Sequence, residues 1–343
     1  MGLRIGLGLG LNKQGLARFL SVDEQIQLFK QRIENDNGTF ESQACLQNLI
    51  NQGLFENANF VLTPNGYKAG KLYALKPDNG DLDVTWVRNG NASRINQNRL
   101  IVNEGNNVPR VDFLGGDCPN ILVEPQQTNR VIHSDPTSAQ LTLTLNLNEQ
   151  PNDFGLGNLL QRKYVLDNEN QTIEARIGVS VSTIPTDTDT FAMCFARNQD
   201  GSEVIPGEDV RFQITGGSAA VDSSFFKKKN IKDDIWLIWS TQAVLRNANA
   251  TSFLFRKTTD ESAKITEIAG FCVSTDGIIN NYIPTTGTAV TRPSDAPVAI
   301  TVPTGTTEIV EALEDGTFNT ITTIPTTYTI PFGRFKYILF NGA

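Results

Sequence analysis

The spacing of apolar residues changes near residue 56. Before it, Ser21 and Glu24 form a capping box, which predicts the start of a helix. Residues 35–38, Asn-Asp-Asn-Gly, predict its end, and a second, shorter helix is predicted over residues 42–54. Two short amphipathic helices cannot close a core, so residues 1–56 must dock on the rest of the chain, on another copy or on another protein. The apolar faces are formed by Val22, Ile26, Phe29 and Ile33, and by Cys45, Leu46, Leu49 and Ile50.

The first eleven residues alternate leucine or isoleucine with glycine or arginine. This period of two predicts a strand with one bare apolar face. A secretory signal would need a continuous apolar region and a small-residue cleavage site, so we expect the segment to be retained. No segment approaches the roughly 20 apolar residues of a membrane helix, and no membrane insertion is expected.

Short alternating segments separated by turn residues follow residue 56. Residues 141–147 alternate Leu with Thr or Asn, and further strands are predicted at 173–181, 190–196, 210–214, 235–240, 252–255 and 265–273. This pattern predicts a mainly β protein with a jelly-roll or β-sandwich domain over residues 131–296. A small β-rich domain over 57–130 precedes it. A β tail over 297–343 is expected to cap the sandwich or to pair with neighbouring subunits.

The charge balance limits the classes of partner. The 343 residues include 29 Lys and Arg against 37 Asp and Glu, a net charge of −8. Proteins bind nucleic acid by displacing counterions with clustered cations, so no nucleic-acid partner is expected. The one tight basic run, residues 227–229 with Lys232, is interpreted as a solvated loop.

The four cysteines lie more than 70 residues apart and form no Cys-x-x-Cys pair. This spacing indicates neither a zinc site nor a disulfide scaffold. We therefore expect all four to be reduced and packed as small apolar groups, in a protein made in a reducing cytoplasm. They are Cys45, Cys118, Cys194 and Cys272.

Several motifs occur together in one order. They are TPNGYKAGKLY at 63–73, GDLDVT at 80–85, ASRIN at 92–96, VPRVDF at 108–113 and CPNILVEPQQTN at 118–129. This order resembles the core of tail-fibre and head-fibre virion proteins of tailed phages. Residues 269–273 and 282–292 resemble the closing strand and exit of the jelly-roll carbohydrate-binding domain that often follows this core.

The resemblance implies a virion location, a homotrimer, attachment to other virion proteins through residues 1–56, and a structural Ca²⁺ in the jelly roll. This sequence departs from the family pattern at two places. Residues 85–88, Thr-Trp-Val-Arg, stand where the family has an Arg-rich stretch, and Gln127 stands where the family has Arg. If that Arg holds a carboxylate, its partner here must be satisfied otherwise.

Catalytic motifs are absent from the sequence. His133 is the only histidine, no nucleophile motif accompanies it, and it is interpreted as a surface residue. A glycosidase needs only two carboxylates, but acidic turns between strands explain the jelly-roll candidates as well. We expect no enzyme activity. The acidic candidates are Asp187, Asp189, Asp209, Asp233 and Asp234.

Residue types lead to two hypotheses about binding sites, one for calcium and one for sugar. Asp78, Asp81 and Asp83, with Asn79, crowd hard oxygen ligands as a calcium loop does, although a hairpin turn is the favoured interpretation. Sugar binding uses an exposed aromatic plane, for which Trp86, Trp236, Trp239 and Tyr282 are the candidates, against a core or interface role for each. Trp236 and Trp239 are three apart on one strand, so they should point to opposite faces, one of them into the core.

The combined expectation is a structural phage fibre or appendage that adheres to host-surface polysaccharide. A bacterial carbohydrate-binding or carbohydrate-active protein is the alternative from another class. A purely structural head decoration without a ligand is the third hypothesis.

Overall fold

The computed structural model describes residues 20–77, 79–146, 148–169, 171–214, 223–242 and 250–342. The chain divides into two compact units, each assembled from separate segments. Unit 1 contains the described residues up to Asn91, those of Glu104–Pro125 and those from Ser294 onward. Unit 2 contains the described residues of Ala92–Asn103 and Gln126–Pro293. The strand predicted for residues 1–11 lies outside the described residues.

Strands dominate both units. The α-helices are α1 (Val22–Asn35) and α2 (Gln43–Asn51), with 3-10 turns at Ser138–Gln140 and Ser223–Phe225. The strands up to residue 130 are β1 (Thr39–Phe40), β2 (Ala58–Lys68), β3 (Lys71–Lys76), β4 (Val84–Val87), β5 (Ala92–Ile95), β6 (Ile101–Glu104), β7 (Arg110–Asp112), β8 (Asn120–Val123) and β9 (Gln127–Asn129). Next come β10 (Leu141–Leu145), β11 (Asn148–Pro151), β12 (Arg162–Leu166), β13 (Ala175–Ile184), β14 (Phe191–Asn198), β15 (Arg211–Ile214), β16 (Phe226–Lys232), β17 (Ile235–Ser240), β18 (Ala250–Lys257), β19 (Thr266–Ser274) and β20 (Val290–Arg292). The last are β21 (Ala296–Pro297), β22 (Ile300–Thr301), β23 (Thr306–Leu313), β24 (Phe318–Ile321), β25 (Thr327–Tyr328) and β26 (Gly333–Gly342).

The mainly β class predicted from the sequence is thereby confirmed. Within the part of the chain that the structure describes, no helix is both long enough and apolar enough to cross a membrane.

Helix α1 begins and ends where the sequence predicts. The Glu24 backbone amide donates to the Ser21 hydroxyl over 3.3 Å, and the Ser21 amide donates to the Glu24 carboxylate over 2.8 Å. At the other end Asp36 is the C-cap residue, and Asn37 takes a φ of 54°. The predicted capping box and stop signal are both confirmed.

The two helices pack on strands of their own unit. Their buried residues share one apolar cluster with Val61 on β2, Tyr73 on β3 and Leu339 on β26. The sequence left three docking partners open for this segment: the rest of the chain, another copy or another protein. For residues 20–56, the partner is the rest of the chain. The predicted boundary at residue 56 is wrong because the helices cover one face of the sheet in unit 1. The helical members of the cluster include Ile26, Phe29, Ile33, Leu46 and Ile50.

Strand β26 is an internal strand of the unit 1 sheet. The sheet has the order β21-β4-β3-β2-β26-β23-β24, and β26 pairs antiparallel with β2, β23 and β8. Tyr337 and Leu339 face the helices, whereas Ile338 and Phe340 face a second core cluster. Continuous apolar residues suit a strand buried on both faces. The prediction of a separate tail over 297–343 is therefore wrong.

Unit 2 contains two antiparallel sheets that share one core. Their orders are β10-β13-β18-β15 and β11-β12-β19-β14-β17-β16. Ile177 and Phe253 from the first sheet and Ile238 and Phe271 from the second belong to the same buried cluster. Residues 92–103, predicted in the preceding domain, belong to this unit. A jelly-roll connection of these strands stays a prediction.

The outer face of the six-stranded sheet carries a further covering layer. The ring centroids of Phe195 on β14 and Tyr282 lie 6.0 Å apart. Gly270 on β19 has a φ of +63°, and a Cβ placed there would come within 2.8 Å of both Leu160 and Phe195. Glycine at this position lets the covering segments approach the sheet closely.

Cys45 on α2 and Cys118, in the connection between β7 and β8, form a disulfide across 73 residues of sequence. The expectation of four reduced cysteines is therefore wrong for this pair. The fold of unit 1 brings their Cα atoms to 5.6 Å, which sequence spacing could not reveal. Cys194 and Cys272 are free and buried, and burial raises the pKa of both thiols. For these two, packing as small apolar groups is confirmed.

Candidate functional site

Trp86 lies in the core of unit 1. Only 1% of the residue is exposed, and it belongs to the cluster that contains Phe60 and Phe340. Its indole nitrogen is buried and has no hydrogen-bond partner among the described residues. On β4, Val84 and Trp86 point inward while Thr85 points outward. An enclosed ring cannot stack on a sugar, so the structure corrects the prediction of Trp86 as a ligand residue.

Tyr282 is also enclosed, in unit 2. It is 1% exposed, and its hydroxyl lies 2.8 Å from the Ser134 hydroxyl. Burial raises the pKa of Tyr282 well above its ordinary value. The ring packs against Phe195 in the covering layer. Tyr282 therefore stabilises unit 2, and its prediction as a ligand residue is corrected as well.

The two described carboxylates of the loop considered for calcium, Asp81 and Asp83, are hydrogen-bonded within the chain. Asp83 lies 3.0 and 3.1 Å from Nη1 of Arg32, and its Oδ1 accepts a 2.9 Å hydrogen bond from the Ala74 amide. Asp81 accepts a hydrogen bond from the Asn79 side chain. Asp78 lies outside the described residues. Arg32 thus supplies the positive charge beside Asp83. No group of three or more His, Cys, Asp or Glu in the described ranges is arranged to hold a metal.

The acidic catalytic candidates occupy structural positions. Asp209 is fully buried and accepts hydrogen bonds from Asn198 Nδ2 (2.9 Å) and the Ile205 amide (2.7 Å). The other four lie in connections between strands, as the turn interpretation expects: Asp187 and Asp189 between β13 and β14, and Asp233 and Asp234 between β16 and β17. His133 is half-buried, and its backbone forms an isolated antiparallel β-bridge with Thr286.

Trp236 and Trp239 lie on opposite faces of β17, as predicted. Trp236 is partly buried against the core that the two sheets share. The ammonium of Lys228 lies 4.9 Å from the centroid of the Trp236 ring and 2.7 Å from the Glu203 carboxylate. The free side of this indole is therefore occupied by a lysine of the same protein.

Trp239 faces outward, in a row of three paired residues. Met193 on β14 pairs with Trp239 on β17, which pairs with Lys227 on β16. Met193 is fully buried, Trp239 half-buried and Lys227 exposed. Solvent access thus increases toward the edge of the sheet. We call Trp239 and Lys227 together the Trp239 surface. Among the four aromatic candidates, Trp239 has the outward ring next to an exposed polar side chain.

The basic run 227–229 belongs to β16, an edge strand of the six-stranded sheet, so its interpretation as a loop is wrong. Lysines on edge strands discourage pairing with other chains, and this protective role is the structural alternative for Lys227. Such a role requires a cation at the edge, but it does not require a half-buried tryptophan beside it.

Sequence reasoning missed a buried charge cluster in unit 1. Asp295 accepts hydrogen bonds from Arg88 (3.0 Å) and from Nε of Arg110 (3.1 Å), and Arg110 also donates to Glu124 (2.5 Å). Arg88 and Asp295 side chains are 0% exposed. Arg110 and Glu124 lie within the motifs that carry the phage-protein resemblance. These two motif residues therefore lie in the interior of unit 1, where they pair with each other.

The departure at Gln127 is also accommodated internally. Its amide donates to the carbonyl oxygens of Gly277 (3.2 Å) and Ile278 (2.7 Å). A neutral donor therefore occupies the position where the resembling family has arginine, and two backbone acceptors are satisfied by it.

The fold and the site define a mainly β protein of two units, and on the second unit the half-buried Trp239 lies beside the exposed Lys227. No protein-family model and no curated protein matches this chain.

Proposed function

We propose that this protein is a non-enzymatic structural component of a bacteriophage particle, a projecting fibre or appendage that adheres to host-surface glycans. The ordered motifs within residues 63–129 support the virion assignment through their resemblance to phage fibre proteins. In this proposal the chain contacts other virion proteins and assembles as a homotrimer.

The Trp239 surface is the observation that carries the adhesive part of the proposal. An indole face offers an apolar plane to a pyranose ring, and the Lys227 ammonium donates hydrogen bonds beside it. One such contact is weak, with a dissociation constant of about 1 mM, or a binding free energy of about 4 kcal/mol. Several copies on one particle would strengthen binding by roughly 10²–10⁴.

The Cys45–Cys118 disulfide is the observation behind a second candidate, a secreted bacterial carbohydrate-binding protein. Disulfides persist outside the reducing cytoplasm, on secreted proteins and on virions alike. The disulfide is therefore compatible with both candidates, and association with phage particles distinguishes them.

Competition for host cells tests the adhesive proposal. Purified protein added before the phage should reduce particle adsorption, because both would occupy the same receptors. The Trp239→Ala variant, with its fold checked by circular dichroism, should compete at least about tenfold less well. Full competition by this variant would place the binding site elsewhere. Absence of competition by the wild-type protein would contradict an adhesive function.

A further inference from the structure

We infer that the ligand of the Trp239 surface is an acidic polysaccharide, one whose sugar rings carry carboxylates. This inference rests on the proposed adhesive function and names the class of glycan. The juxtaposition of an outward indole with an exposed lysine on the neighbouring strand is the observation from which it starts.

Lys227 differs from most cations of unit 2 in its lack of a carboxylate partner. Several cations elsewhere in this unit are paired with carboxylates: Lys163 with Glu267 (2.7 Å), Arg211 with Glu261 (2.6 Å), and Lys228 with Glu203 (2.7 Å). Among the described residues, the Lys227 side chain has no ion-pair or hydrogen-bond partner. In a protein with a net charge of −8, an exposed lysine without a partner leaves a local positive potential for an anionic ligand.

No carboxylate lies on either strand of the pair. Strands β16 and β17 have the sequences FKKKNIK and IWLIWS. Asp233 and Asp234 lie in the turn at the opposite end, and the five residues from Asp234 to Trp239 span about 16 Å. In the row formed by Met193, Trp239 and Lys227, the lysine is the charged residue.

The spacing suits one carboxylated sugar. Paired residues on adjacent strands lie about 5 Å apart, so a ring stacked on Trp239 brings its substituents within reach of the flexible Lys227 side chain. A carboxylate there would form a charge-assisted hydrogen bond, which is stronger than one to a neutral hydroxyl. A nucleic acid is a poorer match, because its dense phosphates require many clustered cations, whereas Lys228 of the basic run lies on the other face of the strand and is paired with Glu203.

Matched lysine variants separate this contact from general charge effects. Lys227→Gln removes the cation beside Trp239. Lys228→Gln makes the same charge change one residue away, on the opposite face of the strand, where the lysine is already paired with Glu203. Trp239→Ala removes the stacking plane, and Trp239→Phe retains an aromatic one.

The experiment measures binding of the full-length protein to immobilised uronate-containing and sialate-containing polysaccharides, each with its carboxyl-reduced neutral counterpart. We expect at least one acidic polymer to bind more tightly than its neutral form. Lys227→Gln should weaken that binding about tenfold and reduce its salt dependence, whereas Lys228→Gln should leave it unchanged. Trp239→Ala should abolish binding, and Trp239→Phe should retain most of it.

Two outcomes overturn the inference in different ways. Preference for neutral polymers, or equal effects of the two lysine variants, would refute the acidic ligand and leave a glycan-binding function standing. Absence of binding to every polymer, acidic or neutral, would refute the adhesive function itself.

Discussion

Asp295 is the residue on which the buried charges of unit 1 converge. Besides the two arginines, its Oδ2 accepts a 3.0 Å hydrogen bond from the Glu124 amide. Arg88 also donates to four backbone carbonyls, those of Gly90, Glu104, Gly105 and Val108. Burial alone would lower the pKa of Arg110, but attraction by Glu124 and Asp295 outweighs it and the pKa is raised. Arg110 therefore stays charged, and it needs its carboxylate partners.

Asp295→Asn should destabilise unit 1 by about 3–5 kcal/mol, because it leaves two buried guanidinium groups without their shared counter-charge. The control is Glu34→Gln, which breaks the exposed Lys30–Glu34 pair and should cost no more than about 0.5 kcal/mol. Hydrogen exchange of unit 1 peptides measures both changes. Similar protection in the two variants would mean that the buried cluster contributes little.

Lys76 gives a pH-dependent prediction. Burial lowers the pKa of Lys76 to about 8, although Glu56 opposes this shift. Between pH 8 and the ordinary lysine pKa, the unfolded chain therefore binds more protons than the folded one. The free energy of unfolding therefore increases as the pH rises through this range. Lys76→Met should remove this increase. The stability of the wild-type protein should therefore rise relative to that of the variant between about pH 8 and 10. Thermal unfolding of both proteins across this range measures the difference. Parallel curves would contradict the shift.

Residue-scale exposure was only partly predictable. The three-residue spacing of Trp236 and Trp239 predicts opposite faces, because side chains alternate along a strand. Spacing within one strand cannot reveal which segments pack over it. That is why Trp86 and Tyr282, plausible sugar platforms from residue type, are enclosed by segments distant in sequence.

At the scale of elements, local signals were the reliable ones. Strand β17 matches its predicted bounds, and α1 starts at its capping box, because alternation and capping are properties of neighbouring residues. Pairing between distant strands was not predictable. The sequence predicts a β tail over 297–343, but only the fold shows that β2 and β23 flank β26.

Gly270 on β19 supplies a prediction at this scale. Gly270→Ala should destabilise unit 2 by about 2–5 kcal/mol, since it combines left-handed backbone strain with a clash against Leu160 and Phe195. Gly201 has a φ of +73°, and no atom lies within 4 Å of the position that an added Cβ would take. Gly201→Ala should therefore cost only the backbone strain, about 1–2 kcal/mol. Urea unfolding of the two variants gives the comparison. Equal losses would refute the close approach at Gly270.

In the whole molecule, neither compact unit is a continuous stretch of the chain. Unit 1 takes residues from the beginning, the middle and the end of the sequence, and unit 2 takes two intervening segments. Sequence segmentation assigns domains to continuous stretches, so it separated the helices and the C-terminal strands from the sheet to which they belong. The Cys45–Cys118 disulfide joins two such distant segments within unit 1.

Loss of this disulfide should destabilise unit 1 by up to about 4 kcal/mol, because the cross-link restricts the unfolded chain over 73 residues. The Cys45→Ser/Cys118→Ser variant should melt at a lower temperature than the oxidised protein. A reductant should lower the melting temperature of the wild-type protein but not that of the variant. Non-reducing peptide mapping that found both thiols free would contradict the pairing.

The central claim, that this protein projects from a phage particle, is tested most directly by gold-labelled antibody against unit 2 on intact purified particles, viewed by electron microscopy. We predict label at the tail or on capsid fibres, and its position would distinguish host attachment from head decoration. Unlabelled particles, with the protein found only in the surrounding lysate, would contradict the virion assignment and favour the secreted carbohydrate-binding protein.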